Sequence, residues 1–237
     1  MIRFAFALLL LAGAANAQLA LDCGGGACGH ANQSASATTS VTLSTTNSNT
    51  VIIMFVQYNN TTCTQTSSVS GGGLTWTKRS QHGCIPNWDV EEWYAVAASP
   101  LSSATLSYTG WDGARFTTVD AFGISGADTT TVFDPNVSLP ANSSNYSCNT
   151  FSTTNANNFL IAMTRGGSST QSSNGYFTTI NGADWQFSGY NIVSSVQSSV
   201  SPQITAETNG VKSICDAVTL APAPASTSFF RPMGPGH

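Results

Sequence analysis

Thr50-Val51-Ile52-Ile53-Met54-Phe55-Val56-Gln57-Tyr58 decides the fold. Val51 to Val56 is an unbroken apolar run of strand length, rich in β-branched and aromatic side chains that favour strands over helices. A strand facing the core on one side only would alternate with period two, and this one does not, so it is expected to be covered on both faces. An exposed run of uncharged β-formers without proline would also pair with copies of itself. The rest of the chain must therefore shelter it.

Outward from that run the same strand signals recur. Val41-Thr42-Leu43 alternates and leads into it through a turn at Asn47 to Asn49. Residues 64–70 and 74–80 flank Gly71-Gly72-Gly73 and read as a hairpin, because glycine accepts the positive φ of tight turns. Further strands are expected at 90–98, 103–108, 116–124, 158–163, 176–180, 192–196, 203–207 and 214–220. Residues 127–147 read as a long loop. About eleven short strands with no amphipathic helix predict an all-β protein, a two-sheet antiparallel β-sandwich of jelly-roll or immunoglobulin-like type.

Met1-Ile2-Arg3, the apolar stretch from Phe4 to Gly13 and Ala15-Asn16-Ala17 have the form of a secretory signal peptide cut before Gln18. No later stretch is long and apolar enough to span a bilayer, so no membrane insertion is expected after cleavage. The expected division is a signal peptide at 1–17, a Gly/Ser-rich lead-in at 18–38, the sandwich at 39–220 and a Pro-rich tail at 221–237. Localisation is expected to be extracellular. Only 8% of residues are charged, 41% are hydrophobic, and the net charge is −4 with seven Lys and Arg. That balance can build a core and lacks the basic footprint of a nucleic-acid binder.

Six cysteines, Cys23, Cys28, Cys63, Cys84, Cys148 and Cys215, all follow the cleavage site. An even number in an exported chain points to disulfides, and sequence alone leaves the connectivity open. The glycine hairpin favours Cys63 with Cys84. Cys148 with Cys215 and Cys23 with Cys28 complete the expected set. Asn-x-Ser/Thr triplets at Asn32, Asn59, Asn60, Asn136, Asn142 and Asn145 are common by chance in so Asn- and Ser-rich a chain.

Gly73-Leu74-Thr75-Trp76-Thr77, Glu92-Trp93-Tyr94-Ala95, Ile124-Ser125-Gly126-Ala127-Asp128 and Thr153-Thr154-Asn155-Ala156-Asn157-Asn158-Phe159-Leu160-Ile161 follow in order. Residues 38–221 thereby resemble a β-sandwich domain recurring in bacterial secreted multidomain proteins and phage-tail-like proteins. Members often carry an acid and an aromatic before the Ser-Gly, where this chain has Gly123-Ile124. The resemblance implies a sandwich in an extracellular accessory or adhesive setting and supplies no catalytic site.

Four motifs carry possible chemistry. Gly24-Gly25-Gly26-Ala27-Cys28-Gly29 has dinucleotide-loop spacing but neither the strand before it nor the helix after it, so a disulfide loop is expected and no cofactor. Gly123-Ile124-Ser125-Gly126-Ala127 is spaced like a nucleophile elbow and lacks the following helix. Cys28-Gly29-His30 and His82-Gly83-Cys84 mirror each other, but their spacing is short for zinc and export would oxidise the thiols, so no metal is expected. Asp89 and Glu91 fall on one face of a strand beside Glu92, as the acid pair of a glycoside hydrolase would, although solvated acids on a strand's wet face are commonplace.

Trp111 and Asp112 at a turn, with Trp88 and Asp89, form the candidate ligand surface, since exposed indoles stack on sugar rings or anchor interfaces. No catalytic residue is assigned. The expected function is an exported, non-catalytic binding or structural module that contacts carbohydrate or a cell-surface protein through loop aromatics. A secreted carbohydrate-active enzyme using Asp89 and Glu91 is the alternative, and a subunit of a filament or surface layer is a further one.

Overall fold

The computed structural model describes residues 18–34, 36–59, 66–83, 88–110, 116–166, 169–206 and 212–222. Residues 1–17, where a signal peptide is expected, residues 223–237, Cys63, Cys84, Trp111 and Asp112 lie outside the described residues.

Among the described residues fourteen strands, numbered along the chain, form three antiparallel sheets, and there is no helix. The six-stranded sheet contains β1 (Ala20–Asp22), β2 (Gly29–Ser34), β4 (Thr50–Asn59), β6 (Thr77–Gly83), β7 (Trp88–Ala97) and β9 (Phe116–Ser125). The five-stranded sheet contains β10 (Ala141–Ser143), β11 (Asn158–Arg165), β12 (Thr178–Asn181), β13 (Gln186–Val193) and β14 (Lys212–Thr219). A three-stranded sheet is built from β3 (Thr38–Leu43), β5 (Ser68–Gly71) and β8 (Ala104–Thr109).

The apolar run at 50–58 is β4, held between β9 and β7, with Thr50 to Tyr58 all buried. Pleating sends its side chains alternately to two different covers. Tyr58 meets Tyr108 of β8 in the small sheet, with ring centroids 5.9 Å apart. On the other face Phe55 lies opposite Asp120 of β9, whose carboxylate is bonded to Gln186 and Ser188 of the five-stranded sheet. The two large sheets thus make the sandwich, and the small sheet closes the outer face of the first. The outer face of the five-stranded sheet buries a second cluster, including Leu160, Phe187 and Phe177 with Phe151 and Ile204.

Several local expectations are revised. Residues 18–38 are more than a lead-in, because β1 and β2 pair end to end along β9. Between them residues 23–28 leave the ladder, and the Cys23–Cys28 disulfide closes that excursion at a Cα separation of 5.0 Å. Gly123 beside it has no room for a Cβ, which would lie 2.6 Å from the Asp22 carbonyl oxygen. The segments flanking Gly71-Gly72-Gly73 do not form a hairpin: β5 pairs with β8, and β6 pairs with β7 in another sheet. All three glycines have positive φ, and they carry the chain from one layer to the next instead of reversing it. The strand expected at Leu74-Thr75-Trp76-Thr77 begins only at Thr77.

Residues 127–147 include β10, and β13 starts at Gln186, well before the expected Ile192. At 203–207 the described part makes only single bridges, Gln203 to Ser147 and Thr205 to Ser173. A second disulfide, Cys148–Cys215, ties the loop after β10 to the outer face of β14. Two disulfides fit an oxidising compartment.

Two aspartates hold equivalent turns in the two large sheets. Asp22 accepts from the backbone N–H groups of Gly24, Thr46 and Asn47 and from the Asn47 amide. Asp134 accepts from those of Asn136, Thr154 and Asn155 and from the Asn158 amide. Each clasps a Thr-Thr-Asn turn, 45–47 or 153–155, that leads into the central strand of its sheet. Eight such bonds to buried carboxylates fix where β4 and β11 begin.

Candidate functional site

One end of the sandwich gathers the C-terminal ends of β2, β4 and β11 and the N-terminal ends of β7, β9, β13 and β14. There the β12–β13 connection makes a tight turn, with Gln186 N–H donating to the Ala183 carbonyl at 3.0 Å. Its central residues, Asp184 and Trp185, have φ of 54° and 67°. Such a turn normally uses Asn-Gly, and a tryptophan in the left-handed region is strained by roughly 1–3 kcal/mol. The neighbours enforce it. Gln57 donates to the Asp184 carbonyl at 2.8 Å and Thr118 at 3.2 Å, while Gly166 N–H donates to the Trp185 carbonyl at 2.8 Å. The result is an indole 40% exposed at the rim.

Beside it the Arg165 guanidinium lies 3.8 Å from the Trp88 ring centroid and 5.8 Å from that of Trp185. Its Nε is buried without a hydrogen-bond partner, and among the described residues no carboxylate reaches it. Burial without a counter-charge lowers its pKa to about 10. Lys212 sits directly across the strand pair from Arg165, 8% exposed, with its ammonium bonded to Ser144 Oγ at 3.1 Å. His82 meets the same hydroxyl at 3.1 Å, and burial together with Lys212 holds its pKa below the usual value.

Behind the turn, His30 Nδ1 lies 2.7 Å from Asp120 and Nε2 lies 2.8 Å from Asp184. Asp120 is buried and also accepts from Asn181, Gln186 and Ser188. The hydrogen bond His30 donates to Asp120 outweighs desolvation and, with Asp184, lifts the imidazole to about 9, so it is a cation at neutral pH. This Asp–His–Asp chain ties β9 to the strained turn.

The acids singled out by sequence are not solvated. Asp89, Glu91 and Glu92 are 1%, 0% and 0% exposed. Pleating sends Asp89 and Glu91 toward the small sheet, away from Trp88. Tyr58 bridges them, its hydroxyl 2.9 Å from Asp89 Oδ2 and 3.1 Å from Glu91 Oε1. Glu91 is further filled by Lys78 at 2.8 Å, Ser67 at 2.7 Å and the Trp93 indole N–H at 2.7 Å. A carboxylate so saturated builds core and has no acceptor left for substrate. Glu92 faces the five-stranded sheet, where Arg79 pairs with Asp216 at 2.7 Å.

Of the candidate ligand residues, Trp88 stands at this rim and Asp89 is interior; Trp111 and Asp112 lie outside the described residues. Ser125 ends β9 with no helix after it, and Cys28 is spent on Cys23. Trp185, Arg165 and Lys212 escaped the sequence reading. A signal was available for the two cations: a chain with seven basic residues leaves each one's partner worth asking for. Comparison of the chain with protein-family models, with curated proteins and with solved structures finds no match.

Proposed function

We propose that this protein is an exported, non-catalytic binding module that holds carbohydrate, in an accessory or adhesive role, through the aromatic rim formed by Trp88 and Trp185. The observation that carries this reading is the Asp184-Trp185 turn, in which both large sheets contribute hydrogen bonds to a strained backbone that leaves an indole exposed. Strain that the surroundings enforce marks functional positions. Exposed indole faces stack on sugar rings, whose C–H faces are apolar while their edges are polar. Asp184, Arg165 and His30 supply polar groups around that platform. The enzyme alternative is weakened by the burial of Asp89 and Glu91.

A glycan array probed with the mature chain tests the reading, with a reducing-sugar assay alongside. Trp185→Ala should cut binding while leaving the melting temperature within a few degrees. Hydrolysis abolished by Asp89→Asn or Glu91→Gln would instead make the protein an enzyme.

A further inference from the structure

We infer that the rim carries an anion subsite, and that its ligand is an acidic polysaccharide whose sugar carboxylate docks on Arg165 while the ring lies against Trp185. This rests on the carbohydrate reading above and narrows it to one charge class. Of the four lysines and arginines described, Lys78 and Arg79 are ion-paired, and Arg165 and Lys212 meet no carboxylate among the described residues. The unpaired two occupy directly opposed positions on β11 and β14. Like charges placed opposite each other in a sheet are destabilising, and a half-buried guanidinium with an unbonded Nε forfeits hydration as well. A fold this poor in cations has no stabilising use for that arrangement in isolation. An arriving anion offsets the first of these costs.

The shape of the group favours a carboxylate. A guanidinium presents a planar fork that two carboxylate oxygens meet in parallel, and stacking on Trp88 fixes the plane of that fork. Trp185, 5.8 Å from the same guanidinium, then stands beside the ring that bears the acid. Lys212, held by Ser144, extends the positive field to a neighbouring acidic sugar. Asp184, on the same turn as Trp185, is already engaged by His30, so it does not compete for Arg165.

The decisive probe is polygalacturonate against its methyl ester, which keeps the sugar rings and removes the charge. Affinity electrophoresis or calorimetry with the mature, oxidised chain should show binding to the acid at least about tenfold tighter than to the ester, as expected for a charge-assisted bidentate contact. Added salt should erode that preference. Arg165→Gln should abolish it by lowering acid affinity far more than ester affinity, Arg165→Lys should restore part of it, and Trp185→Ala should weaken both ligands. Should Arg165→Gln fail to fold, Lys212→Gln, expected to lower acid affinity severalfold, takes its place. A stronger preference for chondroitin sulfate, lost in Arg165→Gln, supports the same subsite with sulfate as the anion. Equal affinity for acid and ester, unchanged in Arg165→Gln, overturns the anion subsite and leaves the carbohydrate reading standing. Absence of binding to these and to a neutral glycan panel overturns both.

Discussion

At Glu92, strand β7 turns a carboxyl group between the two large sheets with neither oxygen hydrogen-bonded. Burial, and then the charge of Asp216, push its pKa well above the ordinary carboxylate range against the pull of Arg79. A group whose pKa is raised on folding disfavours the native state increasingly as pH climbs past its unfolded value. Glu92→Met, which fills the same space without a charge, should therefore gain about 1–3 kcal/mol near pH 8 and much less near pH 5. Thermal melts of both proteins across that range check it, and a constant difference would refute it. His30 behaves in the same sense. Its stabilising ion pairs are fully present below pH 6.5 and are lost as pH rises through about 9, a midpoint that imidazole NMR shifts would report directly.

At the level of single elements, the two aspartate clasps and the strained turn separate structural from functional demands. Asp134→Ala should cost about 3 kcal/mol, since it strands several buried N–H groups that now donate to a charge. Asp128→Ala, which removes a cap exposed to water, should cost under about 1 kcal/mol. Chemical denaturation distinguishes the two. At the β12–β13 turn, Trp185→Gly should be about 1 kcal/mol more stable than Trp185→Ala, because only glycine accepts φ of 67° without penalty. The usual order, with alanine ahead, would mean that the left-handed conformation is not held in solution. The clasps were visible in principle as two copies of Thr-Thr-Asn before apolar runs, at 45–47 and 153–155. The strained turn was not, because Gly182-Ala183-Asp184-Trp185 resembles an ordinary strand break and carries no sign of the partners that hold it.

For the molecule as a whole, β4 and β11 were legible because their unbroken apolar runs admit only central, doubly covered positions. What failed was partner choice. Gly71-Gly72-Gly73 has the composition of a hairpin, and whether such a turn reverses the chain or hands it to another layer depends on long-range pairing with β7 and β8. Burial of Asp89, Glu91 and Glu92 was likewise hidden, because their compensating partners, Lys78, Ser67 and Arg79, belong to other segments. The Trp88 side of the rim was visible and the Arg165 side was not. Cross-linking adds a further term. Cys148 and Cys215 are 67 residues apart, so replacing both with serine should cost about 4 kcal/mol in the chain-entropy account, against about 2 kcal/mol for Cys23 and Cys28. Equal losses in equilibrium unfolding would contradict that ranking.

The central place of β4 also sets a timetable. Its partner β7 follows within forty residues or so, but β9, which covers the other edge, ends only at Ser125, about sixty-five residues after β4 is complete. At roughly 5–20 residues per second, a growing chain would leave that edge bare for several seconds. Throughout that interval Val51 to Val56 can pair with the same segment of a neighbouring chain. A protein built this way depends on being kept apart from its siblings while young, and refolding yield should fall steeply with concentration even though the finished molecule hides every residue responsible.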